Sequence, residues 1–209
     1  MTTSWAQNAT LAAVIVATVL PLLAFAVIFL FTRSRPRLSA RLSIGAVTAS
    51  LGCSLFLLGG HWGVEKPVEF TARWLVSASV EIPFGFLLDP LSLLMLAIVA
   101  VISFLVQVYS LGYMAGDPGF SRYYAFMSLF AWAMLNLTLA PTLLQLFIFW
   151  ELVGLSSYLL IGFWIEKFSA TQAGKKAFVM TRAGDVAFFL GFLVVLLGLG
   201  NLSILDMNS

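Results

Sequence analysis

The sequence predicts an all-α polytopic membrane protein: six transmembrane helices with a short exterior β-ribbon between the second and the third. Three observations predict it. Of the 209 residues, 61% are apolar and only 10% charged, against about 45–50% and about 25% in a soluble domain. Mean hydropathy is +1.03, which excludes a disordered chain as well. Six segments of the sequence reach the roughly 20 mainly apolar residues that cross about 30 Å of hydrocarbon. They are helices, because an open sheet would leave backbone groups unsatisfied in lipid.

The first span covers about Leu11–Phe31 and contains Pro21. The second covers about Leu42–Gly60, the third Leu91–Met114, the fourth Tyr123–Ala140, the fifth Thr142–Ile165 and the sixth Ala177–Gly200. Met1–Thr10 has no Lys or Arg, so the positive start of a cleavable signal peptide is missing. Instead Arg33, Arg35, Arg37 and Arg41 follow the first span, which places that loop in the cytoplasm. Six crossings then put nine basic residues inside: these four, Arg122, Lys167, Lys175, Lys176 and Arg182. Only two, Lys66 and Arg73, fall outside. Both termini of the segment are predicted on the outer face of the cell inner membrane.

The one long exterior connection is His61–Leu88. Its even positions from Val68 to Phe84 are all apolar, and its odd positions are mostly polar or small. Period two is the mark of a strand. Such a ribbon offers an edge to a neighbouring subunit. Asp89-Pro90 reads as the N-cap and first residue of the third span. The chain divides into residues 1–114, three spans with the exterior loop 61–88, and residues 115–209, three more spans.

Net charge is +2, with one cysteine (Cys53) and one histidine (His61). Sparse charges exclude a nucleic-acid partner. There is no histidine pair for haem, no cysteine set for an iron–sulfur cluster and no dinucleotide loop. No cofactor is expected in this chain, which moves ions or scaffolds rather than transferring electrons.

Glu151 lies about ten residues into the fifth span, inside LQLFIFWELVGLSSYLLIGFW. A mid-bilayer carboxylate costs roughly 2.5–3.5 kcal/mol on insertion scales, so it must face protein or water and find a partner. That makes it a candidate proton relay. Gly154 and Tyr158 share its helix face, one admitting a close neighbour and the other offering a hydroxyl; Ser156 and Ser157 add two more. The plain alternative is a glutamate held by a static hydrogen bond. In GKKAFVMTRAGDVAFFLG, Arg182 and Asp185 stand three apart and can pair on one face. Lys175 reads as a membrane-surface anchor, whereas Lys176, Arg182 and Asp185 form a second candidate charge group. Asp117-Pro118-Gly119 reads as a turn; Arg122, His61, Glu65 and Glu69 read as surface.

The pieces FGFLLDPLSLLML, GYMAGDPGFSRYYAFMSLF, FWELVGLSSYLLIGFW and KKAFVMTRAGDVAFFLG resemble the antiporter-like subunit L of bacterial NADH:quinone oxidoreductase, respiratory complex I. The resemblance implies a membrane-arm subunit that takes part in proton translocation coupled to quinone reduction, with other membrane-arm subunits as partners and with quinone and NADH bound elsewhere. It implies that Glu151 is the protonatable residue of the fifth span, that Arg182 and Asp185 belong to its functional network on the sixth, and that the ribbon is a β-hairpin touching a neighbour. It also implies two inverted five-helix repeats with broken helices and a lysine partner on a seventh span, so residues 115–209 are the first, truncated part of one repeat. In the expected mechanism the carboxylate is ionised beside a cation and takes a proton when that charge is displaced. Two alternatives stand: a subunit of a multisubunit Na+/H+ antiporter or of a related hydrogenase or inorganic-carbon uptake complex, and a non-transporting membrane scaffold.

Overall fold

A computed structural model describes residues 3–61, 67–77, 80–199 and 202–207. Its elements are α1 (Thr3–Val27), α2 (Pro36–Gly60), β1 (Val68–Ser77), β2 (Val80–Leu88), α3 (Pro90–Tyr113), α4 (Phe120–Thr138), α5 (Leu143–Ile161), α6 (Phe168–Leu199) and α7 (Ile204–Met207). Glu65, Lys66 and the ribbon positions Ala78 and Ser79 lie outside the described residues. α1 runs through Pro21 without a break and ends in a π-helical turn over Ile28–Thr32. Asp89 caps α3 as expected, its carboxylate accepting from the Ser92 N–H at 2.6 Å.

Five helices, α1, α2, α3, α5 and α6, are long and apolar enough to cross a membrane. The predicted fourth span is also a helix, α4, but a more polar one. Its physical setting explains why. Ten of its 19 residues are buried, and α1, α2, α3 and α5 all pack against it. A helix surrounded by protein has little need of a lipid-facing surface, so Ser121, Tyr124, Ser128 and Asn136 can occupy buried positions on it.

Helix ends sort to two faces of the bundle. At one, Arg37 and Arg41 line a cavity with Gly116 and Asp117, and Arg33 lines another with Arg122 and Glu166. At the other, the Leu87 N–H donates to the Leu139 carbonyl at 2.8 Å, and the Leu143 N–H to that of Leu202 at 3.0 Å. Consecutive helices therefore alternate in direction, and the arginine-rich loop and the hairpin stand at opposite ends.

Small residues let the helices close. Ser39, Ala40, Ser43, Ala46, Val47, Ser50 and Ser54 form the buried face of α2, the composition that permits close helix approach in lipid. Ser50 Oγ donates to the Ala17 carbonyl of α1 at 2.7 Å. Ser43 Oγ donates to Gln107 Oε1 of α3 at 2.7 Å and meets Ser128 Oγ of α4 at the same distance. Tyr124 Oη donates to the Gln107 carbonyl at 2.8 Å. Interhelical hydrogen bonds of this kind contribute about 0.6 kcal/mol each.

The exterior ribbon is an antiparallel hairpin. Val68, Phe70 and Ala72 stand opposite Leu88, Phe86 and Phe84, before a bulge between Arg73 and Leu75. Up to that bulge, pairing of even with even positions places the apolar side chains on one face, whereas beyond it Leu75 stands opposite Ile82 and Val76 opposite Glu81, so the predicted alternation does not carry through to the turn. That face packs on a core of Val14, Leu57, Leu93, Leu96, Leu135 and Leu139. The outer edge of β2 is covered from within the chain. The Gly85 N–H donates to Gln145 Oε1 at 3.0 Å, and Gln145 Nε2 donates back to the Gly85 carbonyl at 2.8 Å. The amide thus completes the edge as a third strand would. A Cβ at position 85 would stand 1.9 Å from the Phe70 carbonyl oxygen and 2.8 Å from Thr71 Cα, both backbone atoms. Gly85→Ala is therefore expected to push the strands apart and to destabilise by about 2 kcal/mol or more. Faster tryptic cleavage after Arg73 in the folded protein is the readout.

Candidate functional site

The candidate site lies between α5 and α6, held by an aromatic seam. Phe147 meets Phe188 and Phe189 at ring distances of 5.6 and 5.5 Å. Near its N-terminal end α6 also approaches the C-cap of α5, a Cβ on Gly174 standing 3.4 Å from the Gly162 backbone.

From this frame three charged side chains converge. Arg182 Nη1 pairs with Glu151 Oε2 across the two helices. The same nitrogen lies 3.5 Å from Asp185 Oδ2, one turn further along α6. One guanidinium thus serves two carboxylates. Asp185 is buried, its side chain only 9% exposed, while the Glu151 and Arg182 side chains are 24% and 32% exposed. Gly154 faces the group, but a Cβ there would stand at an ordinary contact distance of 4.0 Å from Arg182 Nη2, so the pair does not depend on the missing side chain. The guanidinium also lies over the Phe178 ring, 4.7 Å from its centroid. Tyr158 packs against that same ring in a tilted arrangement at 5.2 Å, so it supports the cation's shelf rather than the carboxylate. The Ser156 hydroxyl turns back to the Leu152 and Val153 carbonyls of its own helix and takes no part in the group.

The structure brings Glu151, Arg182 and Asp185 together. Lys176 stands apart: it is exposed near the start of α6, and among the described residues it makes no ion pair. Asp117 behaves as a turn residue, its two oxygens accepting from the Gly119 N–H and from Trp164 Nε1. Arg122 lies over the Phe163 ring and donates to the Phe163 carbonyl at 3.0 Å.

Sequence reasoning missed two things. The first is that Arg182 pairs across the interface with Glu151 as well as with Asp185 on its own helix. The second is Trp150, whose indole Nε1–H donates to Asp185 Oδ1 at 2.9 Å. The signal for it was its place beside Glu151: neighbours on a helix point about 100° apart, so Trp150 could reach α6 at a different level. Trp150→Phe removes a hydrogen bond to a charged group, expected to cost about 1.5–3 kcal/mol and discounted for the partly open site. Thermal unfolding of the full protein measures it, and an unchanged midpoint would show that the bond contributes nothing.

Chemically, two ionised carboxylates around one guanidinium leave a net charge of −1, and one proton neutralises it. Arg does not release its proton in proteins, so any proton that arrives or leaves must reside on Glu151 or Asp185. A cavity of about 470 Å³ opens beside Asp185, lined by Leu146, Trp150, Thr181 and Phe188 among others.

Residues 74–124 match the family described as NADH-Ubiquinone oxidoreductase (complex I), chain 5 N-terminus. Residues 140–209 match the family described as NADH:quinone oxidoreductase/Mrp antiporter, TM. The chain is 40% identical to NAD(P)H-quinone oxidoreductase chain 5 of Picosynechococcus sp. over 163 residues, 78% of this chain and 24% of that protein. It is 44% identical to the F(420)H(2) dehydrogenase subunit L of Methanosarcina mazei over 177 residues, 84% of this chain and 26% of that protein. The chain thus spans about a quarter of the length of these relatives. Among solved structures, the Mrp complex from Dietzia sp. aligns with a TM-score of 0.74 at 25% identity, covering 91% of this chain and 20% of the matched one. The archaeal membrane-bound sulfane sulfur reductase shares the fold, with a TM-score of 0.79 at 18% identity over 92% of this chain and 38% of the matched one. Two adjoining family matches in one chain, with relatives at this identity, show that it belongs to the antiporter-like membrane subunits of the NADH:quinone oxidoreductase and Mrp antiporter family.

Proposed function

We propose that the chain forms part of a proton-translocating membrane-arm subunit of a quinone-reducing complex, with Glu151, Arg182 and Asp185 as its proton-holding group. The observation that carries this reading is the ion pair between Glu151 and Arg182 across α5 and α6, joined by buried Asp185. A carboxylate in a membrane helix that meets a cation from its neighbour has an energetically meaningful charge. In this reading the arm's movement displaces the guanidinium from Glu151 towards Asp185. Glu151 then takes a proton, and it loses that proton when the pair re-forms. Quinone and the electron donor belong to other subunits, so the chain acts as a subunit of an oxidoreductase without a redox group of its own. The arginine-rich end faces the cytoplasm by the positive-inside rule, and the hairpin end faces outward, where β1 meets a neighbouring subunit.

The likeness to the Mrp complex favours one second reading, ion exchange without electron transfer. Purification decides between them: recovery of iron–sulfur subunits with the full protein supports the first, and Na+-dependent proton movement without them supports the second. For either, proton movement in vesicles carrying Glu151→Gln is the direct test.

A further inference from the structure

Two grooves flank α2 at the arginine-rich end. One, of about 1020 Å³, lies between α2 and α3 and is lined by Arg37, Ala40, Arg41, Ile44, Leu111 and Phe120 among others. The other, of about 340 Å³, lies between α1 and α2 along Leu20, Leu23, Val27 and Leu42. Arg41 and Gly45 line both. These volumes are in or near the range of small-molecule sites, about 300–1,000 Å³. Arg37 and Arg41, four apart on one face of α2, are exposed, and among the described residues neither makes an ion pair. The nearby acid, Asp117, is engaged by Gly119 and Trp164. A Cβ on Gly45 would meet nothing within 4 Å, so the ridge between the grooves is open.

We propose that these grooves bind one anionic phospholipid, its phosphate held by Arg37 and Arg41 and its two acyl chains lying on either side of α2. Charge complementarity selects this occupant. Two unpaired cations stand at the head of apolar channels at the end of the bundle where the basic residues gather, and basic pockets between membrane helices recognise acidic headgroups. A zwitterionic lipid satisfies the channels but adds a cation beside the two arginines. The ion-pair site between α5 and α6 is not involved.

The test uses the full protein, purified in detergent, stripped of lipid and exposed to vesicles of phosphatidylcholine with or without phosphatidylglycerol. Native mass spectrometry reads which lipid stays bound as collision energy rises. Wild type is expected to retain one phosphatidylglycerol after phosphatidylcholine has left. Arg37→Gln/Arg41→Gln should lower that retained fraction by roughly tenfold or more. Gly45→Phe should lower it comparably, because it blocks both channels while leaving every charge in place. Lys175→Gln, on exposed α6 surface away from the grooves, should leave it unchanged. Retention equal to wild type in the double-arginine variant would overturn the proposal, as would equal retention of phosphatidylcholine. So would a protein subunit found cross-linked to position 45 in the native complex.

Discussion

Glu151→Gln is expected to lower proton translocation by the full complex on the order of tenfold or more, the scale of a lost proton-transfer group, while the complex still assembles. Assembly survives because the change is nearly isosteric and because Arg182 keeps its second carboxylate, Asp185, at 3.5 Å. Glu151→Asp keeps the charge but withdraws it by one methylene from the guanidinium, and should retain intermediate activity. The measurement is proton uptake by inverted vesicles during quinone reduction, set against the rate of quinone reduction itself. Pumping at the wild-type ratio would remove Glu151 from the relay and leave it a structural ion-pair partner.

Removing the cation has a different consequence. Arg182→Met leaves two carboxylates facing one another between α5 and α6. Loss of one partner of a fully buried pair costs about 3–5 kcal/mol; with the Glu151 and Arg182 side chains 24% and 32% exposed, solvent screening reduces this to about 2 kcal/mol. The combined variant Glu151→Gln/Arg182→Met should recover part of that loss, since it removes one of the two carboxylates and their mutual repulsion and leaves Asp185 with its hydrogen bond from Trp150. A double-mutant cycle on thermal midpoints reads the coupling, and strictly additive effects would show that the two residues do not interact. Arg182→Lys is the informative third case. It restores a charge but not the planar fork that spans both acids, and unlike Arg it can lose its proton when desolvated. Stability should return further than pumping does.

The invariance of the arginine's charge shapes the mechanism. Had the cation beside Glu151 been a lysine, the proton could have resided on either partner. With Arg182 there, the proposed mechanism changes the carboxylate's surroundings by displacing the guanidinium rather than by deprotonating it. Its second station is already present one turn along α6, and the Phe178 ring beneath the guanidinium gives it a surface to move across.

Much of the fold was legible in the residue order. Lipid admits few solutions for long apolar segments, so six helices followed from length and hydropathy, and Asp89-Pro90 marked the start of α3. The ribbon's period of two predicted strands and the face they bury. Its turn was harder to see, because the apolar alternation continues from Val68 into Phe84 across the reversal, while the register keeps even opposite even only up to the bulge after Arg73. The polarity of α4 stands in its sequence, but that neighbours on several sides replace lipid around it is a tertiary fact.

The candidate site divides in the same way. Sequence alone determined that a carboxylate at position 151 and a carboxylate with a cation on the sixth span sit where charge is costly, because insertion energetics depend on residue type and depth. It also determined the local pairing of Arg182 with Asp185, which helical spacing sets. Only the tertiary structure decided that Arg182 reaches Glu151, that Trp150 holds Asp185, that Tyr158 supports Phe178 and that Lys176 stands outside the group. Those contacts depend on the rotation and approach of α5 against α6, set by glycine spacing and aromatic packing between helices, and no local pattern within one helix carries that information.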